Sequence, residues 1–316
     1  MIPVGLTARP VQVSGSPHPD GPDVDLAHRV ILEAERSALG ESHMPRETVR
    51  SLLTSPEVVH SESRLLLDEH GAAQGLFFVE WEPEADRAFL NTYATPEYAK
   101  ALQPALLDAC LAAVARHQPD RPWAVEAAAF EQDAVLQQAL RDAGFARVRR
   151  FWRLRVDFDG PVTAQPPDGV SLRVASGEED RRLLHTLFER SFAQHYGFAA
   201  RPYEDWIGWF DARGDARVDL RWIAELHGDP VALCIADDSR IDEGLAYIRT
   251  LGVAPEARGR GIARWLLLHA FAQAQREGRT GAALAVESDN STGATALYES
   301  VGMRPTQVIE LFSRPL

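Results

Sequence analysis

The sequence predicts an α/β (α+β) fold made of two tandem domains, each a mixed, mostly antiparallel sheet flanked by helices. Three observations carry that expectation. The stretch "DFDGPVTAQPPDGV", rich in Pro, Gly and Asp and without a periodic apolar face, divides the chain nearly in half. Each half then reads in one order: a short strand, helical segments, an antiparallel meander, a helix, a strand and a last helix. Short anchors also recur at about 160 residues, Pro96 with Pro255, Glu126 with Glu287 and Gly144 with Gly302, which is the mark of an internal repeat. The expected boundaries are 1–158 for the first domain, 159–168 for the linker and 169–316 for the second.

The second half is the more legible. "VSLRVA" alternates as a strand does, and "EEDRRLLHTLFERSF" puts Leu183, Leu187 and Phe188 on one side of a helix. "LRWIAELHGDPVALCIAD" reads as two strands about a Gly-Asp-Pro turn, and "GLAYIRTLGV" as a third. "GIARWLLLHAFAQAQREG" carries Ile262, Leu266, Leu267, Ala270, Phe271 and Ala274 on one helical face, with Gly278 placed to end it. "GAALAVES" is a buried strand, and "STGATALYESVG" a short helix closed by Gly302.

A chain of 316 residues exceeds the size at which single cores stop growing, in keeping with two domains. Its 45% hydrophobic and 25% charged residues describe a water-soluble globular protein, and no apolar run approaches the length of a membrane span. A start of "MIPVGLTARP" lacks a basic head and an apolar middle, so a cytoplasmic location is expected. Cys110 and Cys234 stand far apart without CxxC spacing, so neither a disulfide framework nor a metal site is expected. The net charge of −13 argues against a nucleic-acid partner and favours a cationic or amine substrate.

Against that acidity, "VAPEARGRGIARWLLLHAF" concentrates arginine and glycine where a strand gives way to a helix. Backbone N–H groups converging at a glycine-rich turn before a helix form an anion nest backed by the helix dipole. Gly259 and Gly261 allow close approach and positive φ, while Arg258, Arg260 and Arg264 add charge, so the expected ligand is a phosphate or pyrophosphate. A Walker loop is excluded because no Gly-Lys-Ser/Thr triplet is present, and the dinucleotide fingerprint because Arg264 stands where its last small residue belongs.

This order resembles the GNAT superfamily of N-acetyltransferases. Its pyrophosphate signature Q/R-x-x-G-x-G/A is met by Arg258, Gly261 and Ala263, and its later elements by Asn290 and by Leu297, Tyr298, Glu299, Gly302 and Met303. The tandem arrangement is similar to the mycothiol synthase type, although Tyr247 in "YIRTLGV" stands where that type places a Glu. The resemblance implies acetyl-CoA as cosubstrate, with its arm along Leu251, Gly252 and Val253 and its pyrophosphate on Arg258 to Arg264, the run that includes Gly259, Arg260, Gly261, Ile262 and Ala263. It further implies Tyr298 as the acid for the departing thiolate, Glu287 as a candidate base, and Asn290 beside the coenzyme. The acceptor would be a small-molecule amine met by the stretch Ser191 to Phe210, through His195, Tyr196, Glu204 and Asp205, and by Tyr247; a peptide or protein acceptor and a non-catalytic acyl-CoA-binding module are the alternatives. No nucleic acid, membrane or metal partner is expected, and the chain should be a monomer or homodimer.

Aligning the two halves sets Ala99 at Arg258, Leu102 at Gly261, Pro104 at Ala263, Leu140 at Tyr298 and Gln132 at Asn290. Each replacement removes the group that would do the work, so the first domain is expected to be non-catalytic.

Overall fold

A computed structural model describes residues 3–13, 23–42, 44–55, 57–82, 86–117, 122–193, 198, 200–211, 216–287 and 294–316. They form two compact units, one of Met1–Arg150 with Val308–Leu316 and one of Phe151–Gln307. Among the described residues no helix is long and apolar enough to cross a membrane.

The first unit begins with β1 (Thr7–Pro10), α1 (Val24–Leu39), α2 (Arg46–Leu53) and β2 (Arg64–Leu67). It continues through β3 (Ala73–Glu82), β4 (Arg87–Ala94), α3 (Ala99–His117), β5 (Ala124–Phe130) and α4 (Ala134–Asp142). β1 to β4 form an antiparallel meander and β5 joins β4 in parallel, as a crossover through a helix requires. Val30, Ile31, Leu53 and Phe78 build the core under α1 and α2, and Leu102, Leu106, Trp123 and Leu140 a second one under α3 and α4.

A long strand, β6 (Ala146–Asp157), leaves this unit at Arg150 and enters the other at Phe151. There follow β7 (Val170–Val174), α5 (Gly177–Phe192), α6 (Tyr203–Asp211), β8 (Ala216–Leu226) and β9 (Asp229–Asp237). β10 (Leu245–Val253), α7 (Ile262–Arg276), β11 (Gly281–Glu287), α8 (Ala294–Ser300) and β12 (Arg304–Pro315) complete the chain. β7 to β10 are antiparallel neighbours and β11 is parallel to β10. The β8–β9 turn is tighter than expected: His227 and Gly228, at φ 54° and 92°, make it, and Asp229 and Pro230 already belong to the next strand. Alternation along β9 divides the core. Ala232, Cys234 and Ala236 face the cluster around α7, whereas Leu233 and Ile235 pack with Leu184, Leu187 and Trp206 of α5 and α6.

Each sheet is finished by a strand from the other half of the sequence. β11 pairs antiparallel with Phe151–Asp157 of β6, and β5 with Ile309–Pro315 of β12. Sequence pattern gave no sign of either strand, because "RVRRFWRLRV" and "RPTQVIELFSR" carry too many arginines and polar residues to read as core.

The units nevertheless repeat each other locally. α4 and α8 end in the same way: Phe145 N donates to Leu140 O and Met303 N to Tyr298 O, both at 3.0 Å, with Gly144 and Gly302 at φ 83° and 84°. Leu140 therefore occupies the place of Tyr298. One anchor does not superpose. Glu126 lies opposite Phe89 in the paired part of β4 and β5, while Glu287 is the last residue of β11, beyond its pairing with β10.

Candidate active site

β10 and β11 are paired only from Leu245 with Gly281 to Tyr247 with Ala283, yet β10 runs on to Val253 and β11 to Glu287. Where they part, β10 carries a bulge between Ile248 and Thr250, with Arg249 as the extra residue in the register with β9. Its guanidinium Nε donates to Asp237, which in turn accepts from Ser239 N at 3.0 Å and Ser239 Oγ at 2.6 Å. The two strands thus open a wedge, and the wall made by β10 is tied to β9 by the Arg249–Asp237 ion pair.

Backbone direction decides what the wedge offers. Ala254 N donates to Val231 O at 2.8 Å, so Gly252 and Thr250 also point their peptide groups toward β9. Leu251 and Val253 then turn theirs into the opening. Gly252 is required by packing rather than by torsion: a Cβ there would lie 2.7 Å from Leu233 Cδ2 and 2.8 Å from Ser191 Cβ. α5 can approach the strand this closely only because the side chain is missing.

Past Val253 a 3-10 turn, Pro255–Ala257, leads to the glycine corner. Gly259 and Gly261 both take left-handed φ, 76° and 77°, on either side of Arg260, which gives the alternating geometry of a nest. The N–H groups of Gly259 to Arg264 have no acceptor among the described residues, and the first helical bond is Trp265 N to Gly261 O at 3.0 Å. α7 also has no acidic residue in its first turn, whereas α5 begins with Glu178, Glu179 and Asp180. Six adjacent donors at a helix N-terminus left without a carboxylate suit an external dianion.

Arg258 is placed differently from its neighbours. Its Nε donates to Val253 O at 3.2 Å and its Nη2 to Ser191 O at 3.1 Å, so the guanidinium fastens the nest loop to β10 and α5. Arg260 and Arg264 are exposed. In the first unit this stretch is helical: α3 begins at Ala99, Leu102 N donates to Tyr98 O at 2.8 Å, and Leu102 is fully buried.

Wedge and nest share one cavity of about 650 Å³, walled by Leu251, Gly252, Val253, Arg258, Gly259, Gly261, Ile262, Ala263 and Arg264 on one side. Glu287 and Tyr298 line it too, as do Ser191 and Phe192 at the start of the stretch expected to meet the acceptor, and residues that sequence reasoning missed: Phe151, Arg249 and Thr250. Tyr298 is 9% exposed, its hydroxyl has no hydrogen-bond partner among the described residues, and burial, with the Cys234 thiol nearby, pushes its pKa up to about 12. Of the expected site residues that are described, Glu204, Asp205, Tyr247 and Arg260 do not line the cavity. Tyr247 lies beneath the Arg249 guanidinium, 5.4 Å from its ring centroid, and Glu204 is exposed on α6 at 3.5 Å from Arg182 Nη2. His195, Tyr196 and Asn290 lie outside the described residues.

Residues 182–303 match the acetyltransferase (GNAT) family model. This segment is a GNAT acetyltransferase domain. Among curated relatives, the mycothiol acetyltransferase of Renibacterium salmoninarum is 26% identical over 198 residues, covering 58% of this chain and 55% of that protein. That of Thermobispora bispora is 30% identical over 181 residues, covering 54% and 59%. This chain therefore spans less than two thirds of the length of these relatives. Among solved structures, a GCN5-related N-acetyltransferase from Sphaerobacter thermophilus has a TM-score of 0.82 at 21% identity, covering 100% of this chain and 97% of that one. A tandem GNAT protein from the clavulanic acid biosynthesis pathway has a TM-score of 0.74 at 16% identity, covering 98% of each. At such identities the likeness concerns the fold.

The GNAT fold implies acetyl-CoA, and the cavity suits it. The nest offers donors for a pyrophosphate, the open edge of β10 offers N–H and C=O groups for an amide-containing arm, and Tyr298 lies buried in the same cavity as a phenol that stays protonated at neutral pH.

Proposed function

We propose that the chain is an acetyl-CoA-dependent N-acetyltransferase that acylates the primary amine of a small molecule. The observation that carries this reading is the junction of nest, splayed strands and buried Tyr298 in one cavity. The names of the curated relatives support a small-molecule acceptor, and the anionic character of the chain suits an amine.

When bound, acetyl-CoA supplies the activated acetyl group. The amides of Gly259 to Arg264 hold the pyrophosphate, helped by the positive end of α7 and by Arg264. Leu251 and Val253 orient the arm, and an N–H of this stretch donates to the thioester oxygen as it gains negative charge. Tyr298 gives its phenolic proton to the sulfur as the C–S bond breaks, so that the leaving group departs as the neutral thiol. Glu287, at the end of β11, receives the proton that the amine sheds or holds the ammonium group before attack.

Release of free thiol from acetyl-CoA over a panel of small amines and short peptides tests the proposal. Amine-dependent release, faster with small amines than with peptides, is the expected result. Tight binding of acetyl-CoA without turnover of any amine would instead make the chain a binding module.

A further inference from the structure

One polar atom of the cavity wall is unaccounted for. Ser191, in the last turn of α5, is 4% exposed, and its Oγ has no hydrogen-bond partner among the described residues. Helical serines usually satisfy themselves on the carbonyl four residues back, here Leu187 O, but this one does not. Among the described residues with such an orphaned side-chain atom, Ser191 is the one that lines the cavity. An unmet buried hydroxyl is destabilising and rare, and alanine would occupy the same space without that cost.

The position of the hydroxyl suggests its partner. It sits over Gly252, 2.9 Å from where a Cβ would stand, and Gly252 lies between the two residues whose peptide groups face the wedge. The Ser191 carbonyl is already engaged by Arg258 Nη2, which fixes this turn of α5 beside the strand. A hydroxyl both donates and accepts, so it can meet either side of an amide by turning about one bond.

We propose that Ser191 is a binding residue whose hydroxyl is satisfied by an amide of the pantetheine arm of the acyl donor, between the nest and the thioester. This rests on the acetyl-CoA reading above. It assigns to α5 a role in gripping the donor in addition to its packing against β10.

Titration calorimetry of the full chain and of Ser191→Ala, with acetyl-CoA and with ADP, tests it. ADP carries a pyrophosphate but no arm. The expected result is a Kd for acetyl-CoA raised about five- to tenfold, the loss of one neutral hydrogen bond, with the Kd for ADP unchanged. The ligand-free variant should melt at or above the temperature of the wild type, because it no longer buries an unmet hydroxyl. An unchanged Kd for acetyl-CoA, an equal loss for ADP, or a lower melting temperature would each overturn the proposal. If the wild-type chain binds neither ligand, the acetyl-CoA reading falls and this proposal with it. If the wild type binds both and the variant binds equally well, only the role of Ser191 falls.

Discussion

Replacing Gly259 or Gly261 by alanine isolates the contribution of the nest. A Cβ on Gly259 meets nothing within 4 Å, and on Gly261 only Pro167 Cγ at 3.9 Å, so neither change is a steric one. What alanine alters is torsional, because a left-handed φ costs an L-residue about 1 to 2 kcal/mol. If the loop relaxes to avoid that strain, the donors no longer converge and a bound pyrophosphate must restore them. The Kd for acetyl-CoA should then rise about 5- to 30-fold, the same energy expressed as affinity. Gly278, at φ 79° with nothing within 4 Å, lies just past the other end of α7 and carries the same intrinsic penalty. Gly278→Ala should therefore lower the melting temperature slightly and leave the affinity alone. Calorimetry on the three variants reads both quantities. Equal affinities in Gly259→Ala, Gly261→Ala and the wild type would refute the assignment of this corner as the pyrophosphate site.

Other expectations concern the wedge, the acid and the cores. Gly252→Ala forces α5 away from β10 and should cost about 1 to 3 kcal/mol in denaturant unfolding, as overpacking does. Tyr298→Phe should lower turnover by about a hundredfold or more while leaving acetyl-CoA affinity near that of the wild type, as a steady-state and binding comparison would show. Because folding raises the Tyr298 pKa to about 12 from 10.0, the folded state holds its proton more tightly. Its stabilising contribution is complete below pH 10 and is lost as pH rises toward 12, so a pH series of melts should fall across that window more steeply for wild type than for Tyr298→Phe. Phe312→Ala removes a fully buried ring from the first unit and should cost about 3 to 5 kcal/mol of stability without touching a cavity residue.

The nest was legible because glycine spacing, helix start and charge all fall within a few consecutive residues. Gly259 and Gly261 take the left-handed torsions that their position before α7 called for. Arg258 was legible as important but not in its manner of acting, since nothing local tells whether a guanidinium meets a phosphate or two backbone carbonyls. Phe151 was invisible because it comes to the cavity from β6, far from the motif in sequence, and Ser191 was legible only as part of a long stretch of α5 and α6, with no sign of what its hydroxyl meets. Gly252 held a clue: a glycine without positive φ inside a strand implies that something packs on it closely. The Arg249 bulge had no such mark, as bulges depend on register against the neighbouring strand.

The exchange of last strands bears on how the chain is made. Residues 1–142 leave the ribosome first and contain every helix of the first unit, yet β5 awaits Ile309–Pro315 before its open edge is closed. Until then that edge presents unpaired peptide groups and the core lacks Phe312, which is the kind of surface that invites mispairing. The second unit meets no such delay, because β6 precedes it and is already in hand when β11 emerges. The first unit is thus the last to close, because its final strand lies beyond Gln307, where the second unit ends.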